Sequence, residues 1–139
     1  MRGTLVDSNV LIDVLSQDLA WGEGSSQALA KLGSEGPLVI NAVIYAEVSQ
    51  RYSRKELLDH ELPDDIFIRE SLPWPAAFLA GKAFTDYRRR GGSRRSPLPD
   101  FFIGAHAAVM DLRLLTRDAS RYRTYFPRLE LIVPGEPPA

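Results

Sequence analysis

Four short apolar runs divide the chain: "TLV" at residues 4–6, "PLVIN" at 37–41, "RLLT" at 113–116 and "LELIV" at 129–133. Each is too short and too continuously apolar for an amphipathic surface strand, so each reads as a strand buried on both faces. Between them lie segments with helical spacing. "SNVLIDVLSQ" places Val10, Leu11, Val14 and Leu15 on one face, "GSSQALAKLGSEG" closes on glycines, and "AVIYAEVSQRYS" follows the second run. "PAAFLAGKAFTDYRRR" starts on a proline and stops before Gly91-Gly92, and "PDFFIGAHAAVMDL" carries Pro99 in its first turn. A short helix is expected between the last two strands. The stretch from Arg54 to Trp74 reads as helical at first, with prolines blurring its end. Buried strands alternating with helices predict an α/β fold: a single domain over residues 1–134 with a central, mainly parallel sheet flanked by helices. Residues 135–139 read as a flexible C-terminal tail.

A chain of 139 residues, 45% hydrophobic and 25% charged, has material for one real core. It contains no cysteine, which removes disulfides, thiolate metal sites and thiol nucleophiles together. With only His60 and His106, a histidine-rich metal site is also excluded, so any metal must be held by oxygen. No apolar run approaches the ~20 residues of a membrane span, and Asp7 and Asp13 break the N-terminal apolar stretch. The expectation is a soluble, cytoplasmic protein without a membrane partner.

In open α/β sheets functional groups gather at the carboxyl ends of the strands. Asp7 directly follows "TLV", either as the cap of the next helix or as a site residue. Glu47 lies beside Ile44 and Val48 on the helical wheel, where a carboxylate needs a partner; Arg51, four residues on, is the bland one. Asp100 sits in a helix's first turn, which favours negative charge. Asp118 follows "RLLT", again at a strand end and again placed to cap. Taken together, two strand ends, one helix face and one helix start could converge on one edge of the sheet. Like charges about 4 Å apart cost roughly 4 kcal/mol at an effective dielectric of 20. Such a cluster persists by sharing protons or binding a cation, and oxygen ligands alone select Mg²⁺ or Mn²⁺.

"LVDSNVLIDVL", "VIYAEV", "RRRGGSRRSPLPDFFIGAHA" and "LLTRDASRYRTYFPRLELIVP" together resemble the PIN-domain ribonucleases, specifically the VapC-type toxins of toxin–antitoxin pairs. The resemblance runs from Thr4 to Pro134 and keeps the order of the acids. It maps the family's catalytic and metal-binding carboxylates onto Asp7, Glu47, Asp100 and Asp118, its polar pair onto Ser8-Asn9, where threonine is commoner than Ser8, and its hydroxyl onto Thr116. It implies a Mg²⁺-dependent endoribonuclease that hydrolyses RNA through metal-activated water, is inhibited by a VapB-like antitoxin, and forms a homodimer.

Other residues read more plainly. Asn9 either orients Asp7 or makes a local backbone bond, and Thr116 has a similar choice. Asp13 is expected to be a solvated charge and His106 a packing histidine. Trp21, Trp74 and Phe78 are expected in a core or an interface. Of 17 basic residues only Lys31, Lys55 and Lys82 are lysine, and Arg88, Arg89, Arg90, Arg94 and Arg95 cluster just before Asp100. Planar guanidinium forks beside an acidic centre suit RNA phosphate, with a solvated loop or an antitoxin contact as alternatives. Two rival functions remain: a non-catalytic RNA- or partner-binding module, and an aspartyl phosphotransferase using Asp7. The second wants an aspartate where Asn9 stands.

Overall fold

The computed structural model describes residues 2–92 and 98–135. Arg94, Arg95 and nearly all of the expected tail lie outside the described residues. Five parallel strands form one sheet in the order β3-β2-β1-β4-β5: β1 (Thr4–Val6), β2 (Leu38–Ile40), β3 (Phe67–Arg69), β4 (Arg113–Leu115) and β5 (Leu131–Ile132). The expected strands are all present. β3 is an addition to them: "FIR" is a half-exposed edge strand whose three-residue apolar run, Ile66 to Ile68, lies between charged residues in the stretch read as helix blurred by prolines.

The helices are α1 (Ser8–Leu15), α2 (Gly22–Glu35), α3 (Ala42–Ser49), α4 (Lys55–Glu61), α5 (Trp74–Arg89), α6 (Leu98–Val109) and α7 (Ala119–Tyr125). Asp7 and Asn41 cap α1 and α3, accepting from the Ser8 and Ile44 backbone amides respectively. α5 stops where Gly91 adopts a φ of +88°, a conformation that favours glycine.

Leu5, Val6, Val39, Ile40, Leu114 and Leu115 are almost fully buried, as strands covered on both faces require. Phe101 on α6 meets Tyr125 of α7 edge-on at 5.1 Å and Tyr87 of α5 at 5.6 Å, which ties the three helices together. Gly104 allows the closest part of that packing. A Cβ there would lie 2.5 Å from the Phe126 ring and 3.0 Å from the Tyr122 ring. His106 is buried as expected; its Nδ1 lies 2.9 Å from Asn41 Nδ2 and its Nε2 lies 3.2 Å from Glu70 Oε1. Because the Asn41 amide nitrogen can only donate, the imidazole accepts at Nδ1 and donates at Nε2.

One expectation fails. Asp13 is not solvated: it is 2% exposed, 2.9 Å from the Arg117 guanidinium and 3.2 Å from the Ser25 hydroxyl. Its face of α1 turns toward α2 instead of solvent, which spacing on one helix cannot reveal. Of the two places expected for Trp74 and Phe78, a core or an interface, the core is excluded: both are exposed, one turn apart on α5. Trp21 is partly buried beneath the Arg117 guanidinium, 5.1 Å from its ring centre.

Candidate active site

In the order β3-β2-β1-β4-β5 the chain leaves β1 first toward β2 and later returns on its other side as β4. The crevice at the carboxyl ends of β1 and β4 is therefore the topological switch point, where such sheets bind ligands. Asp7 follows β1 there and Thr116 follows β4.

Asp7 is 3% exposed and held from several directions. Its Oδ1 accepts from the Ser8 amide at 2.7 Å, so the capping role is real. Its Oδ2 accepts from the Thr116 hydroxyl at 2.8 Å and the Tyr122 hydroxyl at 3.0 Å. The Asn9 amide lies 3.5 Å from the same oxygen and donates to Thr116 Oγ1 at 3.3 Å. Asn9 Oδ1 accepts from the Arg117 amide at 3.2 Å, so Asn9 bridges the two strand ends instead of bonding locally. Burial pushes the Asp7 carboxyl up to about 6, aided by the charges of Asp100 and Glu47, while the Thr116 and Tyr122 hydroxyls oppose the rise.

Glu47 is half-buried on α3 and accepts from the Ser8 hydroxyl at 2.9 Å. Its partner is thus Ser8, not Arg51. Burial raises its pKa, the Ser8 bond opposes that, and Asp100 adds to it. Asp100 in the first turn of α6 is also raised by burial; Arg121 lowers it and the charge of Asp118 raises it. The Arg121 guanidinium meets Asp100 Oδ2 at 2.7 Å. Asp118 stands at the α7 N-cap position, exposed, without a side-chain capping bond; its Oδ1 lies 3.4 Å from the Ser120 hydroxyl. Its amide donates to Thr116 Oγ1 at 3.1 Å.

All four predicted acids therefore stand at one edge of the sheet; the charges of Asp100 and Glu47 raise Asp7, that of Asp100 raises Glu47, and that of Asp118 raises Asp100. Among the described residues, no group of three or more His, Asp or Glu side chains stands close enough to hold an ion as they lie. Ser8, Asn9 and Thr116 all touch the acids. Arg88, Arg89 and Arg90 project from the exposed end of α5, where Arg90 pairs with Asp86 at 3.2 Å. Sequence reasoning missed Tyr122 and Arg121. Both lie on α7 within about one helical turn of Asp118, on the short helix expected there, but helical spacing alone does not say which of its faces turns toward the acids.

A PIN domain family model matches residues 4–127. No curated protein sequence matches the chain. Among solved structures, the chain is similar to VapBC2 from Rickettsia felis bound to a promoter DNA fragment, with a TM-score of 0.73 at 16% identity over 96% of this chain and 99% of that one. It is also similar to a toxin–antitoxin complex from Klebsiella pneumoniae, with a TM-score of 0.68 at 23% identity over 96% of this chain and 98% of that one. A third similar structure is FitAcB from Neisseria gonorrhoeae, with a TM-score of 0.70 at 18% identity over 93% of this chain and 96% of that one. The acids at the switch point thus sit on the fold whose family model spans them, and the chain belongs to the PIN domain family.

Proposed function

We propose that the chain is the toxin of a toxin–antitoxin pair, an endoribonuclease that depends on Mg²⁺ or Mn²⁺ held by Asp7, Glu47, Asp100 and Asp118. The observation that carries this reading is the charge of the site. Four carboxylates meet at one sheet edge, three of them with raised pKa, and Arg121 is the single cation paired with them among the described residues. The donor set fits a hard divalent cation, since every side chain offered is a carboxylate, hydroxyl or amide. The acids are not preassembled around an ion, so binding one requires side-chain rotation, above all of the exposed Asp118 and the ion-paired Asp100.

When bound, such an ion supplies an acidified water and a counter-charge for a phosphoryl group under attack. The chain's own residues do the rest. Thr116 and Tyr122 hold Asp7 Oδ2, Ser8 holds Glu47, and Asn9 fixes the two strand ends at which the acids stand. Arg88, Arg89 and Arg90, with Arg94 and Arg95 beyond them in sequence, supply phosphate-binding charge that offsets repulsion of RNA by the acids. Asp7 is poorly suited to act as a nucleophile, because both its oxygens already accept hydrogen bonds in a buried site. A protein partner of the VapB-antitoxin kind is supported by the similar structures, which are complexes of that kind, and by the exposed Trp74 and Phe78. We include a homodimer and a cytoplasmic location in the proposal. In support of the location, no helix among the described residues is long and apolar enough to cross a membrane.

The test is RNA cleavage with Mg²⁺, with Mn²⁺ and with chelator, alongside incubation with radiolabelled phosphate donor. Cleavage that needs the metal and disappears in Asp118→Asn, with RNA still bound, is the expected result. RNA bound but never cut under any metal condition means a binding module. Label retained on Asp7 means phosphotransfer.

A further inference from the structure

Among the described residues Arg121 is the only cation that makes an ion pair with any of the four acids, and it does so at 2.7 Å with both side chains about one-third exposed. Arg117, the other nearby guanidinium, is already committed to Asp13 and to the face of Trp21. Resting on the metal reading above, we propose that Arg121 is the resident cation of the acidic centre: it occupies Asp100 when no divalent ion is bound and competes with that ion for the carboxylate.

The geometry explains how the exchange works. Arg121 sits on α7 between Ser120 and Tyr122, so its backbone is fixed by the same helix that holds Asp7 through Tyr122. Its side chain alone has to move. The guanidinium already lies 5.8 Å from the centre of the Tyr87 ring, an aromatic face on which it can remain after releasing Asp100. A carboxylate bound by a forked guanidinium has at least one oxygen engaged, and an ion approaching Asp100 must displace that bond. No ready-made ligand set stands among the described residues, and Asp100 is already engaged by a positive group of the chain itself. The consequence is a raised threshold for metal. Removing the guanidinium charge lets Asp100 turn freely and deepens the negative potential that attracts the ion.

The experiment is calorimetric titration of Mn²⁺ into the full chain without RNA, comparing wild type, Arg121→Gln, Arg121→Lys and Asp100→Asn, with folding checked by circular dichroism. Competition predicts that Arg121→Gln binds Mn²⁺ roughly fivefold tighter, a change of the size expected for a partly exposed ion pair. Arg121→Lys, which keeps the charge, stays close to wild type, and Asp100→Asn binds more weakly. Saturable binding that Asp100→Asn weakens, with Arg121→Gln within twofold of wild type or looser, overturns the inference and leaves the metal reading standing. The inference also falls, with the metal reading intact, if Arg121→Lys tightens as much as Arg121→Gln, since packing rather than charge is then responsible. No saturable Mn²⁺ binding in any of the four proteins overturns the metal reading, and the inference with it.

Discussion

The Tyr122 hydroxyl donates to Asp7 Oδ2 at 3.0 Å and shares that oxygen with Thr116 at 2.8 Å. One bond comes from α7 and the other from the end of β4, so the most buried acid of the site is clamped by two separate elements. A phenol is a poor choice for simple packing here, because its polar end needs a partner once buried. Tyr122→Phe keeps the ring and removes only the donor. A hydrogen bond to an ionised group is worth about 1.5–3 kcal/mol and a neutral one about 1. The loss of stability in metal-free protein is therefore expected to be larger at pH 7.5, where Asp7 is ionised, than at pH 4.5. Equal losses at the two pH values would show that the hydroxyl does not serve the carboxylate.

The Asp7 carboxyl itself predicts a pH profile. Its folded pKa of about 6 exceeds its ordinary 3.8, so the folded state binds the proton more tightly than the unfolded state does. Its contribution is fully favourable below pH ~4 and is lost as pH rises through about 6. A shift of that size corresponds to at most about 3 kcal/mol. Melting temperature of the metal-free protein should fall between pH 4 and 6.5, and Asp7→Asn should flatten the fall. Asp59 is shifted the other way, to about 2 by Lys55 and Tyr45, so its contribution is lost below pH ~4, outside this window. Mg²⁺ or Mn²⁺ should offset the loss near neutrality, because a ligand of the folded state alone stabilises it by RT ln(1 + [L]/Kd).

Glu47 separates stability from chemistry. Its raised pKa means that the ionised form gains little from its surroundings, so Glu47→Gln should leave the apo melting temperature unchanged or slightly higher. RNA cleavage should fall by orders of magnitude if Glu47 is a metal ligand. Retained turnover in Glu47→Gln would reduce the residue to a partner for Ser8.

Much of this site was legible from residue order alone, and the reason is topological. Asp7 and Asp118 each follow an apolar run, and a parallel sheet puts the ends of such runs on one edge. Glu47 was legible as a carboxylate out of place among Ile44 and Val48. The contacts between elements were not. Tyr122 and Arg121 face the acids because α7 packs on Gly104, and nothing local to "SRYRTY" encodes that approach. The edge strand β3 was missed for a related reason: its short apolar run, Ile66 to Ile68, lies between charged residues in the proline-interrupted stretch, and its place is set by pairing with β2.

Asp13 shows the same limit in energetic terms. Arg117 Nε stands 2.9 Å from its carboxylate, which has 3% of its side chain exposed against 35% for the arginine. Removing one partner of a buried pair costs about 3–5 kcal/mol, and the partial exposure of Arg117 together with the Ser25 bond reduces that to roughly 1–3. Arg117→Ala should destabilise by that amount. Adding Asp13→Ala should cost less than the two separate losses combined, since the unpaired charge is removed with its partner. Strict additivity in the double-mutant cycle would mean that the pair carries no coupling.

Gly104 supplies the most demanding prediction, because it links packing to the chemistry of Asp7. A Cβ at that position falls 2.5 Å from Phe126 Cε2 and 3.0 Å from Tyr122 Cδ1, distances that require the rings to move. Alanine normally gains about 1 kcal/mol over glycine inside a helix, but overpacking a buried contact costs about 1–3. Both rings are nearly inaccessible, so the clash should win and Gly104→Ala should destabilise. The displaced part is α7, which carries the Tyr122 bond to Asp7 and the Arg121 bond to Asp100. Gly104→Ala should therefore mimic Tyr122→Phe in its pH signature, and the double variant Gly104→Ala/Tyr122→Phe should lose little beyond Gly104→Ala alone. Urea melts of the four proteins at pH 4.5 and pH 7.5 measure this directly. Additive losses at both pH values would mean that α7 stays in place when Gly104 is replaced, and that Asp7 keeps its second clamp.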